Sequence, residues 1–278
     1  MFKKSKSEKK SASPVILQPA GASGTAYGQD NTPFFILGCV RSGTTMLRDI
    51  LRVHPRLESP EETHFFRWAD PYASPRYEKN YIGAKLFKKH REIDGITDWQ
   101  FHSSRALARD RKEMSDFYGQ YYLQARGNLD GRWFDKTPQN VYGILLLGYM
   151  YPTAKFLHIY RNPLNVVSSL KEGRVMARHE VKGGINYWVE SMIMLNEYKK
   201  IPGAENRILE TCYEDLVADP KPHITRMLQF VGEDPALFDF SKVSTHREKD
   251  KYKKILTEAE IGYIKTLCEP FYSMYGYK

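Results

Sequence analysis

Phe34-Phe35-Ile36-Leu37-Gly38-Cys39-Val40-Arg41-Ser42-Gly43-Thr44-Thr45 is an apolar run that ends in a glycine and passes into a short polar loop. From Thr44 onward, Met46, Leu47, Ile50, Leu51 and Val53 follow helical spacing. The stretch therefore reads as strand, loop, helix. A loop that feeds a helix N-terminus presents several backbone N–H groups and the positive end of the helix dipole, so it suits a phosphate-like anion. The spacing from Gly38 to Gly43 and then Thr44-Thr45 matches a phosphate-binding loop with one change: Thr44 stands where a nucleotide-hydrolysing loop has its lysine. Arg41, Thr44 and Thr45 remain as donors to a different phosphate-bearing group.

Outward from this stretch, the 278 residues allow one large domain with a tail, and 41% hydrophobic and 13% aromatic residues can build a sizeable core. Residues 1–31 are rich in Lys, Ser, Gly and Ala and read as a disordered basic tail; residues 32–278 form the domain. Of the net charge of +9, the tail carries +3, which leaves +6 for the domain. That charge suits either an anionic ligand or a solvated basic surface. No basic stripe is interleaved with aromatics, so nucleic acid is not an expected partner. Cys39, Cys212 and Cys268 are scattered, which suggests neither a disulfide framework nor a zinc site, and a reducing compartment fits. The longest apolar run, 144–151, is too short to span a bilayer, and Val15-Ile16-Leu17 is too short for a signal peptide. A cytoplasmic protein without a transmembrane segment is expected.

Along the chain, His54-Pro55 ends the first helix, and a short strand ending at Ser59 would place Glu61, Glu62 and His64 just beyond a strand end. Residues 70–100 are expected to be loops and short helices that cover a substrate site. A helix is expected over 103–126, a strand at 133–135, a helix over 141–150 and a buried strand at 155–160. Arg161-Asn162-Pro163 turns that strand into a helix, with Pro163 in its first turn. A mobile loop is expected at 173–184, a helix at 185–200, a strand at 207–213 and a helix at 222–231. Thr257-Glu258-Ala259-Glu260 has the capping-box pattern and opens a last helix over 258–274. Strands alternating with helices argue an α/β fold with a central parallel sheet flanked by helices.

Four units stand in a fixed order: Gly38 to Thr45, Pro60-Glu61-Glu62-Thr63, Asp135-Lys136-Thr137-Pro138, and Phe156 to Pro163 with Ser169. Together they resemble the sulfotransferase superfamily, whose enzymes use 3′-phosphoadenosine-5′-phosphosulfate (PAPS) as co-substrate and need no metal. Arg41 to Thr45 and the Glu61-Glu62-Thr63 that follows His54-Pro55 look most like tyrosylprotein sulfotransferases and their bacterial relatives. The resemblance runs from about residue 33 to the end of the chain. It implies a P-loop-like nucleotide-binding fold and transfer of a sulfuryl group to an acceptor hydroxyl on a small molecule, a carbohydrate or a tyrosine. Many tyrosylprotein sulfotransferases are membrane-anchored; the absence of an anchor here favours a bacterial-type enzyme.

The resemblance also assigns roles. Arg41, Ser42, Gly43, Thr44 and Thr45 would hold the 5′-phosphosulfate, with Arg41 also neutralising charge on the transferring group. Arg161 and Ser169 would hold the 3′-phosphate; otherwise Arg161 closes the strand end as an ion pair and Ser169 packs a helix. A guanidinium at a strand end offers a bidentate fork to a dianion, but Ser169 is about two helical turns on and joins it only if the helix folds back. Glu62 would be the catalytic base, because the attacking hydroxyl must lose a proton; His64 is the runner-up, and an N-cap role for Glu61 and Glu62 is the alternative. Lys136 would stabilise the bridging oxygen that gains charge as the bond breaks, or it is a surface lysine in a turn. Tyr213 would lie near the 3′-phosphate or adenine, or belong to the core. The glycine-rich basic motif that closes over the nucleotide in cytosolic sulfotransferases is not found; basic residues between His246 and Lys254, and Arg174, are candidate substitutes. Tyr72, Tyr77, Tyr81, Phe87, Trp99 and Phe101 line an acceptor pocket or form an aromatic core. A P-loop kinase-like phosphotransferase needing Mg²⁺ and ATP, and a non-catalytic nucleotide-binding protein, are the competing functions. The missing lysine counts against the first, and a turnover loss in Glu62→Gln would exclude the second.

Overall fold

The computed structural model describes residues 31–67, 70–174, 176–245 and 250–278. The tail expected over 1–31 lies outside them except for its last residue, as do four of the basic-stretch positions, 246–249. Strand β1 (Phe34–Leu37) leads into helix α1 (Thr44–Leu51), and β2 (Leu57–Glu58) follows. Short helices come next: α2 (Pro75–Tyr77), a π-helical turn at Glu78–Ile82, α3 (Lys85–Asp94), α4 (Asp98–Leu107) and α5 (Arg111–Arg126). Then come β3 (Arg132–Lys136), a 3₁₀ segment at Pro138–Gly143, α6 (Ile144–Met150), β4 (Phe156–Tyr160), α7 (Pro163–Glu172) and α8 (Val181–Lys199). The chain closes with β5 (Ile208–Cys212), α9 (Tyr213–Ala218), α10 (Pro220–Val231), α11 (Tyr252–Ile255), α12 (Glu258–Leu267) and α13 (Phe271–Met274).

The five strands form one parallel sheet in the order β2-β3-β1-β4-β5, with Ile36 opposite Lys136 and Leu37 opposite His158. All four residues of β1 are buried. Successive side chains of a strand point to opposite faces. Phe34 and Ile36 accordingly join a core with α1, α9 and α10, whereas Phe35 and Leu37 join one with α3 to α6 and α8. A parallel sheet covered on both faces explains why β1 reads as a continuous apolar run rather than an alternating one. A third cluster packs α7 and α8 against α12.

The expected helix over 103–126 is two helices. Asp110 breaks it: its backbone is extended and its side chain accepts from the Glu113 N–H at 2.9 Å, capping α5. The preceding α4 opens on a capping box, Thr97 with Gln100. The last helix does open on the Thr257–Glu260 capping box, but α12 stops at Leu267 and α13 restarts after Pro270, which has no N–H to continue the ladder. The loop expected over 173–184 is shorter, because α8 begins at Val181 and absorbs Gly183 and Gly184. Gly184 lets α8 lie close on α7: an added Cβ would meet Val167 Cγ1 at 3.1 Å. Among the described residues no helix is long and apolar enough to cross a membrane.

The aromatic residues of 70–101 are mostly core. Tyr77, Tyr81, Phe87 and Phe101 are each at most 2% exposed and pack edge-to-face or tilted on one another. Tyr72 packs against them, and Trp99 is half exposed beside a separate apolar groove.

Candidate active site

In an open α/β sheet the C-terminal strand ends form the ligand-binding edge. Here each of the five delivers a site element: the Gly38–Gly43 loop after β1, Glu62 after β2, Lys136 at the end of β3, Arg161 after β4 and Tyr213 after β5.

The loop is shaped by backbone that most side chains avoid. Arg41 has φ +69°, and Gly43, the N-cap of α1, has φ +93°. Any Cβ at Gly43 would sit 2.4 Å from Tyr213 Cδ2, so only glycine allows this approach. No side chain caps α1 and its first turn holds no acid, so its leading N–H groups keep their capacity for an anion. Ser42 is fully buried and its hydroxyl has no hydrogen-bond partner among the described residues.

Two cations flank the loop. Arg161 donates through NH1 to the Arg41 carbonyl at 3.1 Å, and its guanidinium lies over the Tyr213 ring at 4.3 Å. Its own carbonyl is held by Trp188 Nε1 at 3.0 Å, and the Asn162 side chain caps α7 by accepting from Leu164 N at 2.9 Å. Arg41 Nε donates to Ser169 Oγ at 3.0 Å. Helix α7 thus does fold back on the loop, but the hydrogen bond of Ser169 is to Arg41 rather than to Arg161. Burial first, and then the Arg161 charge, lower the pKa of the Arg41 guanidinium. Two neighbouring cations that disfavour one another are favourable ground for a polyanion. Tyr213, 9% exposed, wedges between Gly43 and Arg161 and so serves both the core and the site.

The second half of the site is a buried ion pair. Lys136 Nζ donates to Glu62 Oε1 at 2.5 Å and lies 3.3 Å from Thr45 Oγ1, with its side chain 2% exposed. It is no surface lysine. Nor does Glu62 cap a helix: the next helix begins at Pro75. Its neighbour Glu61 faces away, accepting from Arg48 NH1 at 3.1 Å while its N–H donates to Asp94 at 2.9 Å.

His64 sits beside the pair at φ +56°, its Nε2 3.6 Å from Glu62 Oε2. Arg67 NH1 approaches His64 Nδ1 at 3.3 Å; an arginine can only donate, so Nδ1 accepts and the proton sits on Nε2, facing Glu62. Burial, followed by the charges of Arg67, His90 and Lys136, pushes the His64 imidazole down to about 3. The imidazole is therefore neutral at pH 7.

Several contributors were given no role from the sequence, although Thr63, Asp135 and Thr137 stand in its motif units. Asp135 is 1% exposed and accepts from Thr63 Oγ1 at 2.8 Å, Thr137 Oγ1 at 2.9 Å and Asn140 Nδ2 at 2.7 Å. Thr137 Oγ1 in turn accepts the His64 N–H at 3.2 Å. This network ties the Glu62 segment to the Lys136 segment. His90 donates from Nδ1 to the Glu62 carbonyl at 3.0 Å. Beside Arg67 opens a cleft of about 390 Å³, lined by Arg67, Gln139, Tyr142, Asn186, Tyr187 and Glu190, with Gly183. Arg174 is exposed and pairs with Glu172 at 2.6 Å. Among the described residues no group of three or more His, Cys, Asp or Glu could hold a metal ion.

The chain is similar to known proteins over most of its length. A protein from Aquifex aeolicus is 29% identical over 71% of this chain, which spans 25% of that protein. The omega-hydroxy-beta-dihydromenaquinone-9 sulfotransferase Stf3 of Mycobacterium bovis is 25% identical over 72% of this chain and 62% of its own length. Protein-tyrosine sulfotransferase A of Caenorhabditis elegans is 23% identical over 87% of this chain and 64% of its own. The chain thus spans less than two thirds of the length of these relatives. Among solved structures, the sulfotransferase domain of the Synechococcus PCC 7002 olefin synthase superposes with a TM-score of 0.59 at 21% identity, covering 90% of this chain and 98% of that domain. The sulfotransferase domain of the curacin biosynthetic pathway gives 0.55 at 22% identity, covering 88% and 98%. Both show the same fold. The sulfotransferase family model matches residues 33–236, well over half of the sequence, and the chain belongs to that family.

Proposed function

We propose that this chain transfers the sulfuryl group of PAPS to an acceptor hydroxyl by in-line displacement. The observation that carries this reading is the contact of Lys136 with both Glu62 and Thr45, which joins a cation, a carboxylate base and the anion-binding loop in one place. When bound, PAPS supplies the sulfuryl donor. Ser42 to Thr45 would hold its 5′-phosphosulfate with backbone N–H groups and hydroxyls. Arg41 would neutralise charge on the transferring group, and Arg161, with Ser169 and Tyr213, would hold the 3′-phosphate. Glu62 takes the proton of the attacking hydroxyl as the new S–O bond forms. Lys136 meets the bridging oxygen as the old S–O bond breaks and negative charge collects there. The products are a sulfate ester and 3′-phosphoadenosine-5′-phosphate (PAP), and the proton passes through Glu62 to solvent. His64 orients Glu62 and Asp135 holds the two segments in register. The domain is 32–278, and a reducing cytoplasm suits cysteines that are all free.

The test is mass spectrometry of reactions containing PAPS, a chelator and a mixture of hydroxyl acceptors. PAP release that requires an acceptor, together with a sulfated product, supports the reading. Phosphate transfer from ATP that needs Mg²⁺ would replace it with a phosphotransferase.

A further inference from the structure

The cleft beside Arg67 has a lining of unusual balance. It holds one guanidinium, Arg67, and one carboxylate, Glu190. Gln139 and Asn186 add two carboxamides, each a donor and an acceptor at once. Tyr142 and Tyr187 supply aromatic surface, and Tyr142 is fixed by its hydroxyl donating to the Tyr187 carbonyl at 3.1 Å. The volume of about 390 Å³ falls within the ~300–1,000 Å³ of small-ligand sites. The cleft reaches the base through two contacts: Arg67 to His64 at 3.3 Å, and His64 to Glu62 at 3.6 Å. Gln139 lies three residues beyond Lys136 on the same segment.

An acceptor of net charge would leave one of Arg67 and Glu190 opposed to it. An apolar acceptor would bury both carboxamides unpaired, which is costly. The apolar groove bounded by Trp99, Leu107, Phe117 and Tyr121 is of that second kind; neither lining includes Glu62 or Lys136, but only the cleft is linked toward Glu62, through the Arg67 contact with His64. A sugar fits the balance: its hydroxyls donate and accept together, and its C–H face packs on aromatic rings. We infer that the cleft between the Pro138–Gly143 segment and α8 is the acceptor site and that it takes a neutral carbohydrate. This rests on the sulfuryl-transfer reading. A sugar O–H loses its proton to Glu62, its oxygen forms the new bond to sulfur, the bond from sulfur to the bridging oxygen breaks, and PAP leaves with that electron pair.

The experiment uses the full chain with PAP bound and a panel of cellobiose, maltose, lactose and chitobiose, against 2-naphthol and a tyrosine-containing peptide. Saturation-transfer NMR reads binding, and mass spectrometry with PAPS reads sulfation. At least one disaccharide is expected to bind and be sulfated. Glu190→Ala and Asn186→Ala, both at exposed helix positions, should each raise its KM about tenfold, the size of one hydrogen bond to a charged or well-placed polar group, with PAP affinity unchanged. If PAP binds but no disaccharide does, or if only 2-naphthol or the peptide is sulfated, or if neither variant moves KM, the carbohydrate inference is overturned while sulfuryl transfer stands. Failure to bind PAP would overturn both.

Discussion

Replacing Glu62 tests the catalytic half of the site, because two substitutions there separate chemistry from stability. Lys136 is 2% exposed and has two oxygen partners, Glu62 at 2.5 Å and Thr45 at 3.3 Å. Glu62→Ala leaves the buried ammonium with the threonine alone. Breaking a fully buried pair costs about 3–5 kcal/mol. Glu62 itself is 28% exposed, so water recovers part of that and about 2–3 kcal/mol remains. At about 2 °C per kcal/mol for a domain of this size, the melting temperature should fall by about 4–6 °C. Glu62→Gln keeps an oxygen for Lys136 and should cost only about 1 kcal/mol. Neither side chain can take a proton from the acceptor, so both variants should lose about 10²- to 10⁴-fold in turnover. PAP affinity should hold in Glu62→Gln, since Arg41, Ser169 and Arg161 make their contacts without Glu62. Thermal melts, calorimetry with PAP and initial rates at saturating PAPS read the three quantities. A Glu62→Gln enzyme that keeps more than about one tenth of its turnover while folded and PAP-bound would refute the assignment of the base.

Three further outcomes follow from the same geometry. Lys136→Met should keep the fold to within about 1 kcal/mol, because an apolar chain replaces a buried ion and Glu62 can turn to solvent; its turnover should fall about 10²- to 10³-fold, and an unchanged rate would remove Lys136 from the leaving-group role. Gly43→Ala should cost about 1–2 kcal/mol for the left-handed backbone alone, plus displacement of the Tyr213 ring, and should weaken PAP binding through Arg161; wild-type melting and binding would contradict the loop geometry. Burial pushes the Asp135 carboxyl up to about 6 from 3.8, with its hydrogen bonds opposing. The folded chain therefore holds that proton where the unfolded chain has lost it, so this group's contribution to stability falls as pH rises from about 4 to 6 and is level above, by at most about 3 kcal/mol. Urea unfolding of Asp135→Asn should lack that part of the slope, and parallel profiles for variant and wild type would reject it.

The fold was legible wherever one local rule dominated. The run from Phe34 to Leu37 is buried on both faces, so it is continuous and easily read, and Pro163 and the Thr257 capping box mark helix starts by their own chemistry. Errors arose where a single residue overrides periodicity. Asp110 splits 103–126 by capping inside an apolar pattern that runs through it, and Pro270 ends a helix whose spacing continues. Gly183 and Gly184 suggested a loop but sit in α8, where the second meets α7. Arg41, Glu62, Lys136, Arg161 and Tyr213 could be placed at one sheet edge because each follows or ends a strand, whereas their roles rested on the resemblance. The roles of Asp135, which stood in a motif without one, and of His90, Arg67 and the cleft on α8 were not legible, because they depend on contacts between segments far apart in the chain, such as Thr63 to Asp135 and His90 to Glu62. Helix α7 does fold back on the loop, where Ser169 meets Arg41, a contact that spacing alone did not indicate.

The proposed reaction requires a site for a nucleotide carrying both a 5′-phosphosulfate and a 3′-phosphate. Calorimetric titration of the purified chain with PAP, adenosine 5′-phosphate and ATP, in the presence of a chelator, tests it most directly. PAP should bind about 10- to 100-fold more tightly than adenosine 5′-phosphate, the worth of one or two hydrogen bonds between charged groups, and Arg161→Ala should erase this preference. Absence of PAP binding, or a preference for ATP that appears only when Mg²⁺ is restored, would contradict the proposed reaction.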